Sequence, residues 1–126
     1  MNQRQPVYLN LFKIKLPITG IVSLLHRVTG VLLFLAIPFT IYLLDLSLGD
    51  SLGFAIAAAF WNHPFVILIE IVVFTALMYH LFAGIRFLLM DIDIGHDLKT
   101  AINSSWMVIG ATVISSLAFI IGRLFI

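Results

Sequence analysis

The chain has 126 residues, 62% of them hydrophobic and only 10% charged, whereas a soluble domain averages roughly 45–50% apolar and about 25% charged. With a mean hydropathy of +1.15, most of its surface must face lipid, so a soluble globular domain is excluded. Seven basic residues against six acidic ones leave a net charge of +1, too weak for nucleic-acid binding through bulk electrostatics, and the absence of cysteine removes disulfides, thiolate-bound zinc and cysteine-ligated iron–sulfur clusters from this polypeptide.

A spanning helix needs about 20 apolar residues, which leaves room for three spans, short connections and no soluble catalytic domain. Residues 1–16 form an N-terminal segment that is polar from Met1 to Pro6 and carries Arg4, Lys13 and Lys15. The apolar run behind it is too long for a signal h-region and has no small-residue cleavage site, so this segment is expected to be retained. The first helix is expected over about 17–45, with Pro17 in the first turn. From Pro17 to Leu44 it is about 40 Å long, more than a hydrocarbon core of about 30 Å covers, so its first turns lie at the interface. Pro38 frees the carbonyl of Phe34 and is a site for a bend. Residues 54–60 read as a short interfacial or outer segment, and Asn62, His63 and Pro64 as the turn that starts a second span over about 64–89. The third span, about 100–124, has no charge between Lys99 and Arg123. Trp61 and Trp106 fit aromatic belts. The expectation is an all-α membrane anchor of three transmembrane helices forming one domain over 1–126, embedded among membrane lipids and without nucleic-acid partners.

Basic residues precede the first span and flank the second connection (Arg86, Lys99), while the first connection offers Asp45 and Asp50 and no base. The positive-inside bias then predicts a cytoplasmic N-terminus and second connection, and a C-terminus on the other side.

Several polar residues are not explained by the bilayer. Ser23, His26, Arg27 and Gly30 share one helix face at the basic end of the first span. One reading is that Arg27 snorkels to lipid phosphate while Ser23 bonds back to its own helix. The other is a quinone headgroup, whose carbonyl oxygens accept hydrogen bonds from Ser23 and whose anion, after the first electron, is stabilised by Arg27. On the second span, His80 lies six residues, about 9 Å, deeper than Arg86 and requires a partner. Beside it Ala76, Ala83 and Gly84 leave either a groove for a flat macrocycle or a surface for close helix packing, with His80 bonded to a neighbouring helix. Of the other histidines, His63 is outside, His96 is in the second connection and His26 is on another helix, so a second haem ligand would come from a partner chain. His26, Arg27 and Arg86 are cations within reach of haem propionates. Asp91, Asp93, His96 and Asp97 lack the calcium-loop spacing and read as a solvated connection. Glu70 and Arg123 read as structural.

Pro6-Val-Tyr-Leu-Asn-Leu11, the stretch Pro17 to Gly30 with Ser23-x-x-His26-Arg27-x-x-Gly30, and Tyr79-His-Leu-Phe-Ala-Gly-Ile-Arg86 followed by Asp91 resemble the cytochrome b membrane anchors of bacterial succinate dehydrogenase. The resemblance implies a subunit of respiratory complex II, inactive alone, located in the bacterial inner membrane with a periplasmic C-terminus. It also implies half of a heterodimeric helix bundle with a second small anchor subunit, carrying an iron–sulfur subunit and a flavoprotein subunit. By the same resemblance, Ser23 and Arg27 match quinone-binding residues, with ubiquinone as substrate. His80 matches the axial ligand of haem b, and so its metal ligand, and His26 a residue near the propionates; Asp91 is a candidate for proton uptake. Relatives often carry histidine directly after Gly-Ile-Arg, where this chain has Phe87. Three alternatives stay open: a fumarate reductase anchor, a haem-free anchor, and a small transporter or channel subunit with Arg27, Glu70 and His80 along a polar path.

Overall fold

Uninterrupted apolar sequence in lipid leaves the backbone no partner but itself, which makes helices the default. The computed structural model describes residues 16–125, and all regular structure among them is helical. The elements are α1 (Ile18–Gly49), α2 (Ser51–Trp61), α3 (Pro64–Asp91) and α4 (Leu98–Phe125). Helices α1, α3 and α4 are each long and apolar enough to cross a membrane; α2 is shorter. The basic N-terminal segment and its Pro6 to Leu11 motif lie outside the described residues.

The spans exceed their expected limits by a few residues at most. Helix α1 continues to Gly49, through Asp45 and past Pro38 without interruption, because a proline removes one helix bond and a charge at a membrane exit meets water. The expected outer segment is α2, which starts where the Asp50 carboxylate accepts the Gly53 N–H. Gly53 has to be glycine here, since a Cβ would collide with the Leu46 carbonyl oxygen. His63 begins α3 by accepting the Phe65 N–H on its ring Nδ1, with Pro64 in the first turn.

The chain runs up, down and up, so Ser23, Arg86 and the α3–α4 turn share one end (the turn end), and α2, Glu70 and Arg123 share the other (the α2 end). Helix α3 is central and packs on both α1 and α4. Small residues permit the approach: Ala83 is fully buried and meets Val22, Tyr79 and Val108 in the core. Helix α4 presents Ala101, Ser105, Val108, Thr112 and Ser116 inward. Ser105 and Thr112 donate their hydroxyls to carbonyls one turn back, Ala101 and Val108, whereas the buried Ser116 hydroxyl has no hydrogen-bond partner among the described residues. Most large apolar side chains point outward, as a lipid-facing or partner-facing surface requires.

Candidate functional site: a histidine pair between two spans

The sequence puts His26 on α1 and His80 on α3, and helix packing brings them together. Their rings stack with centroids 4.0 Å apart and planes 8° apart. Two glycines make this possible. A Cβ on Gly30 would sit 3.0 Å from Cε1 of His80, and one on Gly84 3.5 Å from Nε2 of His26, so α1 and α3 each offer a bare position where the other carries a ring.

Nδ1 of His80 donates to the backbone carbonyl of His26 at 3.0 Å and lies 3.3 Å from the Thr29 hydroxyl. A carbonyl only accepts, so in the neutral ring the hydrogen is on Nδ1 and the lone pair on Nε2. This is the arrangement of a metal-ligating histidine, whose second nitrogen is held by an outer hydrogen bond. The neighbouring His26 would not serve as a second ligand to the same metal. The two rings lie face to face in parallel planes, so neither presents a ring nitrogen to the other.

Ser23 is half-buried one turn before His26, and Arg27 is exposed beside it. The hydroxyl of Tyr79, adjacent to His80, donates to the carbonyl of Val22 at 3.3 Å, fixing α3 against α1 just below Ser23. His26 and His80 thus meet between α1 and α3 at the turn end, with Ser23 and Arg27 on α1 within one turn of His26. Arg86 is not brought to the pair. It is buried against α4, with Nε donating to the Ser104 hydroxyl at 2.9 Å and Nη2 to the Ala101 carbonyl at 3.1 Å. Phe87 touches both, 5.3 Å from the His26 ring and 5.2 Å from the Arg86 guanidinium. Of the two readings for Ala76 and Ala83, groove or close packing, the structure has the second: both are buried, and only Gly84 remains at the pair.

Asp91 is exposed at the end of α3. In the turn beyond it, Asp97 accepts the backbone N–H and the hydroxyl of Thr100, both at 2.9 Å, which holds its carboxyl below the usual carboxylate range. Among the described residues no cluster of three metal-ligating side chains exists. At the α2 end, Arg123 Nε donates to Glu70 at 3.2 Å while Nη2 donates to the Trp61 carbonyl at 3.1 Å and the Asn62 side chain at 3.2 Å. Glu70 is therefore satisfied by Arg123, not part of a path with Arg27 and His80. The Thr29 contact, the Tyr79 bond and the α4 partners of Arg86 are not derivable from local spacing.

Residues 1–119 match the succinate dehydrogenase/fumarate reductase transmembrane subunit family. The chain belongs to that family. It is 31% identical to the succinate dehydrogenase cytochrome b556 subunit of Coxiella burnetii over 127 residues, covering 100% of this chain and 99% of that protein. It is 34% identical to the protein of the same name from Rickettsia felis, over 88% of this chain and 86% of the relative. The cytochrome b560 subunit of Reclinomonas americana is 31% identical over 93% and 85%. As a transmembrane subunit of such a complex, this family member has a place in electron transport in a membrane, and its activity is that of an assembly of subunits.

Proposed function

We infer that the chain is the anchor of a succinate:quinone oxidoreductase that holds haem b through His80 and quinone through Ser23 and Arg27. The observation that carries this reading is the His80 ring, with Nδ1 tied to the His26 carbonyl and Nε2 left as the ligating nitrogen. A second ligand would come from a second small anchor subunit, because the His26 ring lies stacked against that of His80. When bound, the haem supplies a one-electron store beside the quinone. The chain's own residues orient and neutralise: Thr29 and the His26 carbonyl fix the His80 ring plane, and Gly30 and Gly84 keep side chains out of its way. Of the arginines considered for the propionates, Arg27 is the one proposed, with His26, since Arg86 is engaged by α4.

At the quinone, Ser23 donates a hydrogen bond to a carbonyl oxygen and Arg27 stabilises negative charge on the ring as electrons arrive from the iron–sulfur subunit. Asp91, exposed at the aqueous end of α3, is a proton-uptake candidate for the quinol. The flavoprotein subunit oxidises succinate, ubiquinone is the acceptor, and the turn end faces the cytoplasm of a bacterial inner membrane, leaving the C-terminus periplasmic. The intact complex carrying Arg27→Ala tests the quinone part: succinate oxidation with a soluble dye persists while quinone reduction falls. Equal retention of both activities would reject the Arg27 role. The internal Glu70–Arg123 pair disfavours a transport path.

A further inference from the structure

Tyr79 carries a hydroxyl into the apolar core of the bundle. It is 7% exposed, and its ring packs with Val22, Ala83 and Val108, a space that a phenylalanine would fill equally well. The hydroxyl donates to the Val22 carbonyl at 3.3 Å. That carbonyl does not require it. Val22 lies inside the continuous helix α1, where the carbonyl of residue 22 already accepts the N–H of residue 26, and the tyrosine takes the second lone pair. A buried hydroxyl gives up its water, and one hydrogen bond returns little more than that loss. What the Tyr79 bond supplies is direction.

Its target is the start of α1, which needs an anchor. The helix begins behind Pro17 with no side-chain cap hydrogen bond, and helix ends without caps fray. Ser23 lies only two turns into it. The Val22 carbonyl and the Ser23 nitrogen belong to one planar peptide unit, so a bond to that oxygen restrains the plane from which Ser23 projects. The next residue of α3 repeats the contact further along α1, where Nδ1 of His80 donates to the His26 carbonyl at 3.0 Å. The two carbonyls are four residues, about 6 Å, apart along the helix axis. Consecutive residues of α3 therefore pin α1 on both sides of the turn that carries Ser23, and set the register of Ser23 against His80.

We propose that Tyr79 is a positioning residue for quinone reduction, its hydroxyl holding the Val22–Ser23 peptide so that the Ser23 hydroxyl meets the quinone carbonyl. The proposal rests on the reading of Ser23 as a quinone-binding residue. Tyr79 acts through Ser23 and does not touch the quinone itself. A hydrogen bond weakens steeply as its angle departs from linearity, so a donor on an unpinned turn forfeits much of its value.

The test is a double-substitution cycle in the intact complex, with a short-chain ubiquinone and a soluble dye as alternative acceptors. Tyr79→Phe keeps the ring and removes only the hydroxyl. It is expected to raise KM for the quinone about three- to tenfold, the value of one neutral hydrogen bond, and by no more than Ser23→Ala does. The kcat at saturating quinone, dye-linked succinate oxidation and the b-type spectrum are expected to stay unchanged. In the Ser23→Ala background, Tyr79→Phe is expected to add nothing. An unchanged KM in Tyr79→Phe, where Ser23→Ala raises it, would overturn the proposal and leave the quinone role of Ser23 standing. An equal loss with and without the Ser23 hydroxyl would overturn it too, because Tyr79 would then act on its own. So would failure of Tyr79→Phe to assemble, or a displaced b-type spectrum, since the hydroxyl would then serve the fold or His80. A normal KM in Ser23→Ala would remove the quinone role of Ser23 itself, and the proposal with it.

Discussion

The two ends of the bundle handle charge in opposite ways. At the α2 end, Arg123 meets Glu70 and two further acceptors from the α2–α3 turn, so the chain neutralises itself. At the turn end, Arg27 is exposed and Arg86 buried, neither with a carboxylate in range among the described residues, and His80 has one nitrogen bonded and one left over. A membrane protein can keep an ion pair simply for architecture; it keeps unpaired cations and an imidazole where something else completes them. The contrast separates a latch from the proposed binding region within one small fold.

Substitutions at the two ends should therefore fail differently. Arg27→Ala should lower kcat/KM for quinone by about 10- to 100-fold, the value of one charge-assisted bond, without changing dye-linked succinate oxidation; steady-state assays of the complex with both acceptors read this. Glu70→Gln should lower the stability of the assembled complex by about 1–2 kcal/mol and leave quinone kinetics unchanged, as followed by thermal unfolding. Adding Arg123→Gln should recover part of that loss, because it removes the orphaned charge. If Glu70→Gln instead altered quinone reduction, the two ends would not be independent.

Gly30→Ala sharpens the comparison further. Its new Cβ would lie 3.0 Å from the His80 ring and press on the proposed ligand, so the haem midpoint potential should move by about 30–60 mV, a three- to tenfold change in the redox equilibrium. Redox titration measures it. The smallest effect belongs to Asp97. Its carboxyl is held below the ordinary range by Thr100, so its contribution to the start of α4 is present above the ordinary carboxylate pKa and fades as pH falls through the lowered value. Asp97→Asn should remove that pH dependence, seen as faster amide exchange over the first turn of α4 at neutral pH and no added change on acidification.

The spans were readable from the sequence because a charge-free apolar run has few options in lipid. The histidine face of α1 was readable from spacing alone. Arg86 was not, although its distance of six residues from His80 rotates it about 120° around the helix, away from the pair and toward α4. Its membrane depth was clear from the sequence, but its direction depends on where α4 packs. The Glu70–Arg123 pair joins residues 53 apart, and no local pattern announces such a contact. Ala76 and Ala83 show the limit again: small side chains mark close approach, and packing decides whether a cofactor or a helix approaches.

The most direct measurement is the reduced-minus-oxidised absorption spectrum of the intact complex, with and without His80→Leu. The account predicts a b-type spectrum in the unsubstituted complex that is lost or displaced in the variant while the subunits still copurify. An unchanged b-type spectrum in the variant would contradict it.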